Sequence, residues 1–178
     1  MIVTITMNPA LDKSTTVPKL VPEKKMRCAQ MITEAGGGGI NVSKAIKKLG
    51  GESIAIFPSG GMNGKKIEEY LSDQGITCQV IPIKAETREN IVISETDTNS
   101  QFRFVLPGAN ISANDATTCL QLLEKMKPSP TYIVTSGSLP PGLTGQFFSD
   151  LARLAKKLNA RFIIDTSGEL YGDRKSVV

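Results

Sequence analysis

The residues in this sequence best suited to hold a ligand are Ala35-Gly36-Gly37-Gly38-Gly39-Ile40-Asn41-Val42-Ser43. Four consecutive glycines lose extra backbone entropy on ordering, so the run reads as a loop and not as helix or strand interior. The residues after it have helical period. Ile40, Val42, Ala45, Ile46 and Leu49 are apolar, and Ser43, Lys44, Lys47 and Lys48 are polar. A glycine loop that opens a helix brings a ligand against bare backbone, and the first helical turn offers N–H groups with no intrahelical acceptor. Asn41 adds a side chain that both donates and accepts there. A flexible surface turn is the plainer alternative. Neither common phosphate fingerprint is present: no Gly-Lys-Ser/Thr follows at nucleotide-loop spacing, and Asn41 stands where the dinucleotide pattern needs its last glycine. The chain has no histidine. Proton transfer therefore falls to a carboxylate, lysine, tyrosine or cysteine.

The elements that must position this loop alternate between short β-branched runs and helical patterns. Strands are expected at 2–6, 53–57, 77–83, 132–135 and 161–165, and helices from the glycine loop to Leu49 and at 64–74, 113–127 and 145–158. Such alternation predicts an α/β fold, a doubly wound, mostly parallel sheet with helices on both faces. Two segments break the pattern, 12–33 and 87–106, where polar and apolar residues alternate without helical period. The second reads as a hairpin, 91–94 and 101–105 around a Thr-Asp-Thr-Asn-Ser turn. Together they predict a small β-sheet that serves as lid or subunit interface. The expected division is a core of 1–11, 34–86 and 107–178 and a lid of 12–33 and 87–106.

Composition narrows the partners. At 178 residues, 40% apolar and 21% charged, the chain has the make-up of one soluble globular domain. No apolar run approaches the roughly 20 residues of a bilayer span, and the N-terminus lacks signal-peptide features. Cys28, Cys78 and Cys119 are scattered and odd in number, which points to free thiols in a reducing cytoplasm. The net charge of +4 comes with scattered lysines and only 5% aromatic residues. That is no nucleic-acid footprint, which needs clustered cations and stacking rings, but it suits an anionic small molecule.

The spacing around the glycine loop is specific. After Ala35–Ser43 come six residues, then Gly50, nine more, and Gly60. With Thr6-Met7-Asn8-Pro9-Ala10-Leu11-Asp12, Thr87-Arg88-Glu89-Asn90, Phe102-Arg103-Phe104 and Ser136-Gly137-Ser138-Leu139-Pro140-Pro141-Gly142, the chain resembles the ribokinase-like (PfkB) carbohydrate kinases. Within that family the motifs are similar to the phosphosugar branch. Its 1-phosphofructokinases and tagatose-6-phosphate kinases typically carry Gly-Gly-Lys-Gly in the loop, whereas the all-glycine version is similar to the ribokinase-like 6-phosphofructokinases.

The resemblance implies roles for individual residues. Asp12 matches the family's sugar-binding aspartate, an acceptor-only group suited to a polyol; an Asx-turn is its bland reading. Gly37, Gly38 and Gly39 would let the sugar lie against backbone, and Asn41 would bond a hydroxyl. Arg88 is similar to the family's phosphate-binding arginine, whose planar fork takes a phosphate bidentately; a surface salt bridge with Glu86 or Glu89 is the alternative. Lys25 and Arg27 would complete the phosphate site from a neighbouring subunit or their own. Arg103 is read equally as a ligand or as an edge-strand solubiliser. Ser138 lies in a loop at the carboxyl end of a strand, where α/β folds place ligands. Asp165, followed by Thr166, Ser167 and Glu169, is expected to be structural and close to the ligand.

The implied activity is phosphoryl transfer from ATP, with Mg²⁺, to fructose 6-phosphate. The family's catalytic Gly-Ala-Gly-Asp and metal-associated Asn-x-x-Glu motifs do not occur in this sequence. The chain is thus expected to be C-terminally truncated, its base beyond Val178, and inactive alone. The alternatives are a non-catalytic sugar-phosphate-binding or dimerising module, and a kinase of the tagatose-6-phosphate or 1-phosphofructokinase type. A homodimer through the lid strands is expected in either case.

Overall fold

The computed structural model describes residues 1–166. Strand β4 (Ser53–Ser59) shows why the molecule has three layers. Ala55, Ile56 and Phe57 are all buried, so both of its faces are covered. Ile56 belongs to a cluster with Cys119, Leu123, Phe147, Phe148 and Leu151, whereas Ala55 and Phe57 pack with Ile40, Ile67 and Leu71. The first cluster lies under α3 (Ala113–Lys125) and α4 (Gln146–Lys157), the second under α1 (Gly38–Lys48) and α2 (Gly61–Asp73). Between them runs a parallel sheet in the order β5-β4-β1-β8-β9, with β1 at Ile2–Ile5, β5 at Thr77–Pro82, β8 at Tyr132–Ser136 and β9 at Arg161–Asp165. An open groove of about 900 Å³ runs between α4 and β9, lined in part by Phe148, Ala152, Phe162 and Ile164.

A second sheet, ordered β3-β2-β6-β7, projects from the first. It takes β2 (Ala10–Val17), β3 (Ile32–Gly36), β6 (Glu89–Glu95) and β7 (Gln101–Val105). Its strands therefore begin before residue 12 and end after residue 33, and residues 18–31 between them form no strand. β2 and β6 run parallel and the other pairs antiparallel. In the β6–β7 hairpin Ile91 faces Phe104 and Ile93 faces Phe102. The rings of Phe102 and Phe104 remain 40% and 49% exposed.

Two sequence expectations change. The glycine run is not all loop: Gly36 ends β3, Gly37 is the N-cap with φ 119°, and Gly38 and Gly39 are the first residues of α1. Leu49, expected on the apolar face, is the C-cap of α1 and 88% exposed. The inward position is taken by Ser43, fully buried between the Thr4 hydroxyl (2.7 Å) and the Ser53 hydroxyl (2.9 Å). The helix sits so close to the sheet that a serine fits where a larger side chain would not. Ser167 and Glu169 lie outside the described residues.

Candidate functional site

The close seating of α1 comes from its glycines. A Cβ on Gly38 would meet the Ser136 carbonyl carbon at 2.5 Å and the Gly137 nitrogen at 2.7 Å. One on Gly39 would meet Thr6 Oγ1 at 2.6 Å and the Ile5 carbonyl carbon at 2.7 Å. The first turn of α1 thus rests directly on the carboxyl ends of β1 and β8, and the Ile40 N–H donates to Thr6 Oγ1 at 2.8 Å. It has no acidic residue and no side-chain cap. Apart from the Thr6 hydroxyl on Ile40, no side chain among the described residues neutralises the positive end of the helix dipole beside these strand ends. Asn41 lies exposed on this turn, its N–H bonded to the Gly37 carbonyl.

Asp12 lies on the second sheet against Gly36, the residue before the N-cap of α1. It stands opposite Asn90 on β6, whose Nδ2 donates to Asp12 Oδ1 at 2.8 Å. Its carboxylate lies where a Cβ of Gly36 would be. Gly36 is thus the glycine that seats Asp12. Among the described residues Asp12 Oδ2 has no hydrogen-bond partner, which leaves acceptor capacity for a ligand.

Arg88 is held by the residues on either side of it. Thr87 is buried, its N–H donating to the Gly60 carbonyl (2.9 Å) and its hydroxyl accepting from the Gly60 N–H (3.1 Å). Gly60, the last glycine of the signature, has no room for a side chain against the Ile83 and Ala85 carbonyls. Neither salt bridge of the alternative reading forms. Glu86 caps α2 by accepting from the Asn63 N–H at 2.6 Å, and Glu89 pairs with Lys13. The half-buried guanidinium instead donates to two main-chain carbonyls, Leu106 from Nη1 at 3.1 Å and Asn8 from Nη2 at 3.2 Å. Its Nε is buried without a partner among the described residues. Burial pushes the guanidinium below its ordinary pKa, and the nearby Asp12 charge acts in the opposite direction. A cation with no directly bonded carboxylate remains able to take an anion.

Ser138 closes the far side, its hydroxyl accepting from Asn8 Nδ2 at 3.1 Å. Asp165 is tied into the strand ends: its carboxylate accepts from the Ser136 hydroxyl at 3.0 Å and its carbonyl from the Gly137 N–H at 3.0 Å. The structure therefore gathers Gly37, Gly38, Gly39 and Ser138 at the strand ends, with Asp12 and Arg88 at the base of the second sheet. It does not bring Lys25, Arg27 or Arg103 into the same hydrogen-bond network. Lys25 and Arg27 are exposed between β2 and β3, and Arg103 is exposed on β7 with its Nε donating to Gln101 at 2.8 Å. Sequence reasoning passed over Gly36, Asn8 and Asn90 as site residues. All three lie inside quoted motifs, but their roles depend on strand register.

These features have counterparts in known proteins. The sequence matches the pattern of pfkB family carbohydrate kinases over residues 2–174. It is 42% identical over 167 residues to the ATP-dependent 6-phosphofructokinase isozyme 2 of Mycobacterium tuberculosis, covering 94% of this chain and 49% of that protein. It is 32% identical to a tagatose-6-phosphate kinase of Staphylococcus epidermidis, covering 95% and 54%. The crystal structure of phosphofructokinase-2 from Escherichia coli in complex with fructose-6-phosphate superposes with a TM-score of 0.88 at 37% identity, covering 95% of this chain and 55% of that one. The chain spans about half the length of the curated relatives it matches. With the glycine-seated helix, the projecting second sheet and a sequence match over nearly its whole length, the chain belongs to the pfkB family of carbohydrate kinases.

Proposed function

We propose that this chain supplies the sugar-phosphate-binding half of an ATP-dependent 6-phosphofructokinase, with fructose 6-phosphate as the acceptor. The observation that carries the reading is the gathering, at the strand ends and the base of the second sheet, of a carboxylate with an open acceptor oxygen, a cation bonded to no carboxylate, and a helix N-terminus without an acidic residue. A ketohexose phosphate needs that combination: acceptors for its hydroxyls and a cation for its phosphate. In this reading Asp12 accepts from two hydroxyls, Gly37 to Gly39 and Asn41 contact the sugar, Ser138 donates, and Arg88 takes the phosphate. Lys25, Arg27 and Arg103 join from the second sheet, in this subunit or a neighbour. The exposed Phe102 and Phe104 support pairing of two chains through that sheet.

ATP and Mg²⁺ serve the full-length relatives of this reading. Among the described residues no three acidic, histidine or cysteine side chains converge on a metal position. The groove between α4 and β9 supports the idea that a further α/β unit completes the fold there.

Calorimetric titration of the chain tests the reading, comparing fructose 6-phosphate with tagatose 6-phosphate and fructose 1-phosphate. Saturable binding that favours fructose 6-phosphate and is lost on Arg88→Ala is expected. A folded chain that binds none of the three removes the reading, and measurable ATP-dependent turnover refutes the half-site claim.

A further inference from the structure

We propose that Asn8 is a positioning residue: its side-chain amide sets the polarity of the Ser138 hydroxyl, and its carbonyl orients Arg88. The inference rests on the sugar-phosphate reading of the cleft. Asn8 follows β1 and stands where four segments meet. Its Nδ2 donates to Ser138 Oγ at 3.1 Å, across 130 residues of chain. Its carbonyl accepts from Arg88 Nη2 at 3.2 Å. Its Oδ1 occupies the space that a side chain on Gly108 would fill, so the amide oxygen points at Gly108 and the NH₂ at Ser138. Pro9 follows and restricts the backbone of Asn8 to extended conformations, which limits the directions its carbonyl can take.

The consequence is chemical. A hydroxyl has one proton and two lone pairs. Because Asn8 donates, it uses a lone pair of Ser138, and no acceptor among the described residues claims the Ser138 proton. Ser138 is left as a donor. A phosphate oxygen or sugar ring oxygen can only accept, so a donor is the useful polarity there.

Asn8→Asp tests this with almost no change of shape. A carboxylate can only accept, so Ser138 must turn its proton onto it and stop donating to a ligand. The expected result is a thermal midpoint near wild type with fructose 6-phosphate binding weaker by about tenfold. The Ser138→Ala background separates this from simple charge repulsion at Arg88. There the same substitution is expected to weaken binding by less than about threefold, because no hydroxyl is left to turn. An equal loss in both backgrounds overturns the proposal. If the wild-type chain binds no sugar phosphate, the sugar-phosphate reading falls and the ¹⁵N side-chain amide resonances of Asn8 decide alone. A shift on Ser138→Ala, absent on the distant Ser149→Ala, sustains the amide–hydroxyl bond, and no shift overturns it.

Discussion

Gly36→Ala is the sharpest probe of the cleft. Gly36 is a strand residue without a positive φ, so its backbone tolerates alanine and only space is at issue. The space is taken, because the new Cβ would fall inside the Asp12 carboxylate. Gly36 pairs with Ala10, which holds the two strands together, so the Asp12 side chain must swing away. That breaks the 2.8 Å bond from Asn90, whose Oδ1 is already buried without a partner. Losing a hydrogen bond to a charged group together with local overpacking lowers stability by about 1–3 kcal/mol. If the Asp12 carboxylate accepts from two sugar hydroxyls at about 1.5 kcal/mol each, binding falls by about 3 kcal/mol, roughly a hundredfold in Kd. The assay is calorimetric titration with fructose 6-phosphate, with stability measured by denaturant in the same samples. Gly50→Ala is the control. Its φ of 79° makes alanine strained by about 1 kcal/mol, but a side chain there meets nothing within 4 Å, so Kd should not move. A folded Gly36→Ala chain that binds within about threefold of wild type would refute the placement of Asp12 as the sugar acceptor.

Ser43→Ala removes the hydroxyl between Thr4 and Ser53 and leaves the buried Thr4 Oγ1 short of a partner. Chemical denaturation should show a loss of about 1–3 kcal/mol, and a neutral result would mean that water replaces the hydroxyl. The Glu95 carboxyl is held below its ordinary pKa by the Thr98 hydroxyl first and then by the Leu20 N–H, which it accepts at 2.6 Å. A depressed folded pKa contributes stability above the unfolded value near 4.5 and loses it as pH falls through the folded value. The protection factor of the Leu20 amide, corrected for the intrinsic pH dependence of exchange, should fall over that acid range, and Glu95→Gln should remove that fall. Among the thiols, Cys28 is exposed, Cys78 is half-buried with its pKa pushed up to about 11 by burial, and Cys119 is buried and pushed up to about 12. A maleimide time course at neutral pH should modify Cys28 first and Cys119 only on unfolding. Fast labelling of Cys119 would contradict the packing under α3.

The order of the core strands and helices was legible because each carries its own pattern, and the bounds of β9 and β7 fell where that pattern placed them, whereas β2 and β3 read only as one alternating stretch. The start of α1 was not legible. Glycine's entropy argues for a loop, yet Gly38 and Gly39 are helical, and they are glycine because any side chain there would collide with the ends of β1 and β8. Leu49 misled for a related reason: the buried stripe of α1 follows that contact through Gly39, Ile40 and Ser43, and not the apolar residues alone. The cleft showed the same divide. Arg88 and Asp12 stand out as charges inside motifs, but Asn90, Gly36 and Asn8 acquire roles only through pairings across 24 to 130 residues that no local pattern records.

The Arg88 guanidinium meets the second sheet at its base. It bonds the carbonyl of Asn8 just before β2 begins and that of Leu106 just after β7 ends, while its own backbone leads into β6. Three strand ends are moored at one side chain. The β6–β7 turn at residues 96–100 lies at the far end from this mooring and can lengthen without tugging on Arg88. Changes in the length of that turn are thus separable from the geometry at the root of the sheet, where Asp12 and Arg88 stand.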